Sequence, residues 1–240
     1  MTSWKNQAVN ATKNAFRNQE NSEKAEGAFV YMKGIAPFIG ISAPDRRLLT
    51  KGAWKDLPTP SSDELGVAAL ALMQCREREY HYAAFDLVDT WIKCADEYFL
   101  AEYVEQLLIT KPWWDTVDGL VSAAVSPLCF RYDATSIIDE WSESNNRWLI
   151  RAAIGHQRSW RKNTDIERVF EICDRHWSND EFFIAKAIGW ALRDIAKLDR
   201  EAVQRFLKQH PQKNTVATRE AKRGIEASHK RGSGQFTPSN

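Results

Sequence analysis

A chain of 240 residues with 43% hydrophobic content is long enough to bury one substantial core, or one continuous stack of repeats, without added staples. Its four cysteines, Cys75, Cys94, Cys129 and Cys173, stand far apart with no C-x-x-C pair, which argues against a zinc cage or a disulfide framework and fits a reducing cytosol. Net charge is only +1, yet residues 146–231 carry 19 Lys and Arg against 11 Asp and Glu, giving +8 there and −7 elsewhere; such segregation suits a C-terminal half that faces a polyanion.

The N-terminal stretch MTSWKNQAVNATKNAF is polar and amphipathic, and no later run approaches the ~20 apolar residues of a membrane span, so a soluble protein without a cleaved leader is expected. Further along, DELGVAALALMQ, REYHYAAFDLVDTWIKC, EYFLAEYVEQLLI and FFIAKAIGWALRDIAK repeat apolar residues at three- and four-residue spacing, the mark of helices. Pro, Ser, Asn and Asp punctuate the chain at 36–44, 57–62, 126–133 and 176–180, where breaks are expected. The reading is all-α, with one domain over residues 1–230 and a tail at 231–240, RGSGQFTPSN, that lacks periodicity.

A fixed period runs through the middle. Tyr80, Trp114, Trp148 and Phe183 follow one another at 34, 34 and 35 residues, and four positions after each stand Ala84, Asp118, Ala152 and Ala187. Helical hairpins of about that length build solenoids. The aromatic and the fourth residue beyond it share one helix face, so an aspartate occupies a column that is otherwise alanine. Aspartate is a poor helix-interior residue, and a broken local rule points to function; the alternative is an Asp118 that faces solvent or bonds nearby backbone.

Neighbouring columns add detail. The position before the alanine holds Ala83, Val117, Arg151 and Lys186, the third position after it Leu87, Val121, Gly155 and Trp190, and the sixth carries Arg158 and Arg193. Trp114, Asp118, Arg151, Lys186 and Trp190 are therefore expected along one concave strip. A carboxylate between indole faces stabilises the oxocarbenium character that develops when an N-glycosidic bond breaks, and can orient the attacking water. Arg151 suits a bidentate grip on phosphate. The five histidines are scattered; His156 is expected as a surface or phosphate contact, and no metal site is indicated. Asp115 is expected to serve its helix N-terminus, and Arg46, Arg47 and Lys51 to face backbone or solvent.

The segments TKPWWDTVDGL (110–120), NRWLIRAAI (146–154), EFFIAKAIGWALRDIAK (181–197) and YMKGIAPFIGISAPDRR (31–47) closely resemble the AlkD-type DNA alkylation repair glycosylases, over nearly the whole chain to about residue 228. The resemblance implies a HEAT-like helical-repeat solenoid with a concave DNA-binding face. It implies hydrolysis of cationic alkylpurines, chiefly 3-methyladenine and 7-methylguanine, from duplex DNA, with Asp118 as catalytic aspartate, Trp114 and Trp190 gripping the damaged nucleotide, Arg151 on phosphate and Tyr31 lining the cleft. Lys186, Arg158 and Arg193 are taken as further DNA contacts. A monofunctional, cofactor-free, cytoplasmic monomer is implied, acting for base excision repair without a deep base-shaped pocket. Two other readings are a non-enzymatic relative that binds distorted or branched DNA, which would be expected to lose the aspartate or an indole, and a protein-binding helical scaffold.

Overall fold

A computed structural model of the protein describes residues 3–211 and 215–232, all of them in helices and their connections with no strand among them. Helix packing divides the chain into two compact units, residues 1–133 and 134–240. The expected tail at 231–240 starts inside the last helix, and beyond residue 232 it lies outside the described residues.

The first unit holds α1 (Trp4–Phe16), α2 (Ser22–Tyr31), α3 (Ala43–Trp54), α4 (Ser62–Met73) and α5 (Arg78–Trp91). Two longer helices follow, each containing a π-helical turn. Leu100–Val104 leads into α6 (Glu105–Ile109), and α7 (Trp114–Leu120) runs through Val121–Val125 into α8 (Ser126–Arg131). Ser3, Asn21, Ser42 and Ser61 each accept a first-turn N–H, a cap that contributes about 1 kcal/mol, and Glu64 closes a capping box with Ser61. The core seals around Trp4, Trp54 and Trp91, whose rings meet at 5.3 and 5.9 Å. The break expected at 126–133 is shorter than foreseen, because the helix continues through Pro127 to Arg131. A π turn immediately ahead displaces the carbonyl with which a proline ring normally collides, so Pro127 is accommodated without ending the helix.

The second unit comprises α9 (Thr135–Glu143), α10 (Arg147–Ile154), a 3-10 turn at Arg161–Asn163, α11 (Ile166–Arg175), α12 (Phe182–Ile195), α13 (Arg200–Gln209) and α14 (Thr215–Gly232). Asn146, Asp165, Glu181 and Asp199 cap four of these helices with side-chain oxygens. Within this unit α10, α12 and α14 pack in series, α12 against α14 most extensively. That approach is close: a Cβ on Gly224 would stand 2.8 Å from the Arg193 Cα. The sequence period is thus a helical repeat, since Tyr80, Trp114, Trp148 and Phe183 all fall at the starts of helices. It extends one step further than the aromatics indicate: Ala221, fully buried in α14, follows Ala187 by 34 residues.

Candidate active site

Asp118 lies on α7, one helical turn past Trp114 and on the same face. Its column partners Ala84, Ala152 and Ala187 are buried, whereas Asp118 keeps part of its surface in solvent. Gly119 allows α7 to close on α5; a Cβ there would meet the Phe85 ring at 2.5 Å. Trp114 meets Tyr31 edge-on with ring centres 6.5 Å apart, and Tyr31, at the end of α2, is 70% exposed. A solvent-facing phenol, an indole and a carboxylate therefore occupy this part of the first unit. Directly beyond Asp118 the helix enters its π turn, where the Ser122 hydroxyl donates to the Asp118 carbonyl at 3.0 Å.

The start of α7 is held from below. Arg78, 1% exposed, donates to both oxygens of Asp115 (3.1 and 2.6 Å), to the Thr116 hydroxyl (3.0 Å) and to the Lys111 carbonyl (2.8 Å). Tyr82 donates to Asp115 at 2.5 Å, and burial beside that carboxylate pushes the phenol far above its ordinary range. Asp115 thus ties the start of its helix to α5 through Arg78 and Tyr82 instead of capping the helix N-terminus by itself. Glu79, equally buried, accepts the N–H groups of Ile39, Gly40 and Ile41, fixing the chain that follows Tyr31. Neither Arg78 nor Glu79 was singled out by sequence reasoning, because their partners lie about 40 residues away and follow no column.

In the second unit Arg151, only 3% exposed, donates to the Phe183 carbonyl at 2.6 Å and lies over the Trp190 ring at 5.2 Å. Arg158 approaches the same indole at 5.8 Å. The two arginines named from the columns thus converge on the tryptophan named from the columns. Trp148 and Phe183 instead pack on each other, ring centres 5.1 Å apart. Trp4, Trp54, Trp141, Trp148 and Trp177 are buried, while Trp114 and Trp190, like Trp91, Trp113 and Trp160, stay partly exposed.

Lys186 and Arg193 are placed differently from simple DNA-facing cations. Both reach the carboxylate of Glu220 on α14, Lys186 at 3.0 Å and Arg193 at 3.7 Å, and Arg223 joins them at 2.9 Å. Glu220 is 2% exposed, and the Lys186 hydrogen bond lowers its carboxyl below the usual range despite that burial. It was missed although it follows Lys186 by 34 residues in the same column, because α14 bears no aromatic landmark. His156 is not the surface group expected: it is buried, with Nδ1 on the Ala153 carbonyl and Nε2 against the Gln157 amide, and burial lowers its pKa to about 4. Arg46 likewise faces neither DNA backbone nor solvent, since it forms a buried bidentate pair with Asp86; Arg47 and Lys51 remain exposed. Among the described residues no three His, Cys, Asp or Glu side chains gather as metal ligands, and no helix is long and apolar enough to cross a membrane.

Residues 12–225 match the model of a family described as DNA alkylation repair enzyme. One solved structure, described as a predicted DNA alkylation repair enzyme from Enterococcus faecalis, is similar at TM-score 0.73 and 28% identity, covering 84% of this chain and 94% of that one. No curated protein matches.

Proposed function

Because the chain belongs to the DNA alkylation repair enzyme family, we propose that it is a monofunctional DNA glycosylase that removes cationic alkylpurines, 3-methyladenine and 7-methylguanine, from duplex DNA. The observation that carries this reading is Asp118: an aspartate left partly exposed where the other repeats bury alanine, one turn from an indole that is itself flanked by Tyr31.

Alkylation at those ring nitrogens makes the base a cation and a good leaving group. The bond from the sugar C1′ to the base nitrogen breaks, its electron pair leaves with the base and neutralises it, and positive charge develops on the sugar. Asp118 stabilises that charge, and the faces of Trp114 and Tyr31 add cation–π attraction. Water then bonds C1′ and gives its proton to Asp118 or to solvent, leaving an abasic site. No general acid is needed, so one carboxylate suffices where sugar hydrolases use two.

The reading assigns Trp190 to the damaged nucleotide and Arg151 and Arg158 to phosphate. These three belong to the second unit. Lys186 is a poor candidate for a Schiff-base nucleophile, since its Nζ is engaged by the Glu220 carboxylate at 3.0 Å.

Purified protein incubated with duplex DNA containing 7-methylguanine should release free base above the spontaneous rate, leaving an alkali-labile site. Asp118→Asn should slow release by about 100-fold or more while duplex binding persists. Duplex binding without base release from the unaltered protein would make it a DNA-binding relative instead.

A further inference from the structure

Helix α14 is two-faced. Ala217, Glu220, Ala221 and Gly224 are buried, and Glu220 ties the helix to α12 through Lys186 and Arg193. On the other side Thr215, Thr218, Arg219, Lys222, Arg223 and Glu226 line an open depression. They recur at helical spacing, so they form one stripe. Arg219, Lys222 and Arg223 are exposed, and among the described residues Arg219 and Lys222 have no carboxylate partner.

We infer that this stripe of α14 is a docking surface for the sugar–phosphate backbone of duplex DNA. The inference rests on the DNA-repair reading above for the identity of the polyanion, and extends the DNA-binding surface to residues to which that reading gives no role. Three cations, of which Arg223 is paired with Glu220, fall within about 6 Å of helix axis and outnumber the one carboxylate of the stripe, Glu226, against a duplex that carries one negative charge per ~1.7 Å. Two threonine hydroxyls beside them are neutral donors of the kind that contact phosphate oxygens. The stripe lacks the Trp, Phe and Leu that a helix lying on a lipid surface would bury, so a membrane is not the partner it fits. Glu220 is the positioning residue: it neutralises one of three converging cations and fixes the rotation of α14, so that the stripe faces outward.

The test uses the full chain and an undamaged duplex, with binding measured by fluorescence anisotropy over a range of salt. Arg219→Gln/Lys222→Gln should lower the magnitude of the slope of log K against log salt by about 2, one per lost phosphate contact. In base-release assays it should raise the half-saturating DNA concentration and leave the rate at saturation unchanged. A control pair from the first unit, Lys55→Gln/Lys93→Gln, should leave the slope nearly as it was. The inference fails if the α14 pair leaves the slope unaltered, if the control pair lowers it equally, or if the unaltered protein does not bind duplex. Loss of slope in a protein that never releases base would overturn the glycosylase reading and leave the α14 surface standing.

Discussion

Arg151 shows how far burial constrains a residue assigned to a ligand. Its guanidinium is 3% exposed, donates to the Phe183 carbonyl and covers the Trp190 ring, so it links α10 to α12 whatever else it contacts. Arg151→Ala therefore removes more than a phosphate contact. The Phe183 carbonyl loses a charged donor, and the expected cost is about 2 kcal/mol in urea denaturation, together with a salt slope reduced by about 1. Arg151→Lys keeps the charge but not the planar fork, and should recover part of the stability and less of the binding. A variant with unchanged stability would show that the Phe183 contact is dispensable. Asp118 was legible in the sequence because it violates a column of alanines, and the partial exposure of Trp190 was not. Nothing in a list of ten tryptophans separates the five that are buried from those that are not until packing does so.

The helix spanning 114–131 carries Trp114 and Asp118, and its position depends on a pair that the sequence does not advertise. Arg78 and Asp115 are 37 residues apart, outside any column, and only the packing of α5 against α7 brings them together. Periodicity could find the hairpins because it compares equivalent faces; it is blind to contacts between unlike positions of adjacent repeats. The same limit hid Glu79, whose carboxylate holds the backbone of residues 39–41, and the π turn that lets α8 continue through Pro127. Removing one partner of a buried pair leaves the other uncompensated, so Arg78→Met should destabilise the protein by about 3–5 kcal/mol. Asp115→Asn keeps the shape but loses the charge, and should lower stability and base release together, since it loosens the helix that carries Asp118. Asp118→Asn should lower base release alone. Equal thermal stability for Asp115→Asn and the unaltered protein would remove the anchoring role.

Acid sensitivity is a property of the whole molecule, because each compact unit buries one histidine in a fixed neutral tautomer. In the first unit His81 donates from Nε2 to the Cys75 carbonyl at 2.9 Å, and its Nδ1 accepts from Arg78 at 3.2 Å. In the second, His156 donates from Nδ1 to the Ala153 carbonyl at 2.7 Å, and its Nε2 accepts from the Gln157 amide at 3.1 Å. A second proton on either ring would face a donor and sit without solvation, and burial lowers both pKa values from 6.5 to about 4. Each folded value lies below its unfolded one, so the unfolded chain takes up protons first as the pH falls. The stabilisation is complete above about pH 7 and is lost as the pH drops through 6.5 towards 4, at up to about 3 kcal/mol for each histidine. Glu220, lowered by its pairing with Lys186, adds a loss that begins as the pH falls through the ordinary carboxylate range. Urea midpoints measured from pH 8 to 4 should therefore be flat and then fall, with the fall beginning near 6.5. His176, also lowered by burial, adds to the same fall, and His81→Gln and His156→Gln should each remove part of that dependence while lowering stability at neutral pH. A midpoint that stays constant down to pH 5 in the unaltered protein would show that neither ring is held neutral by the fold.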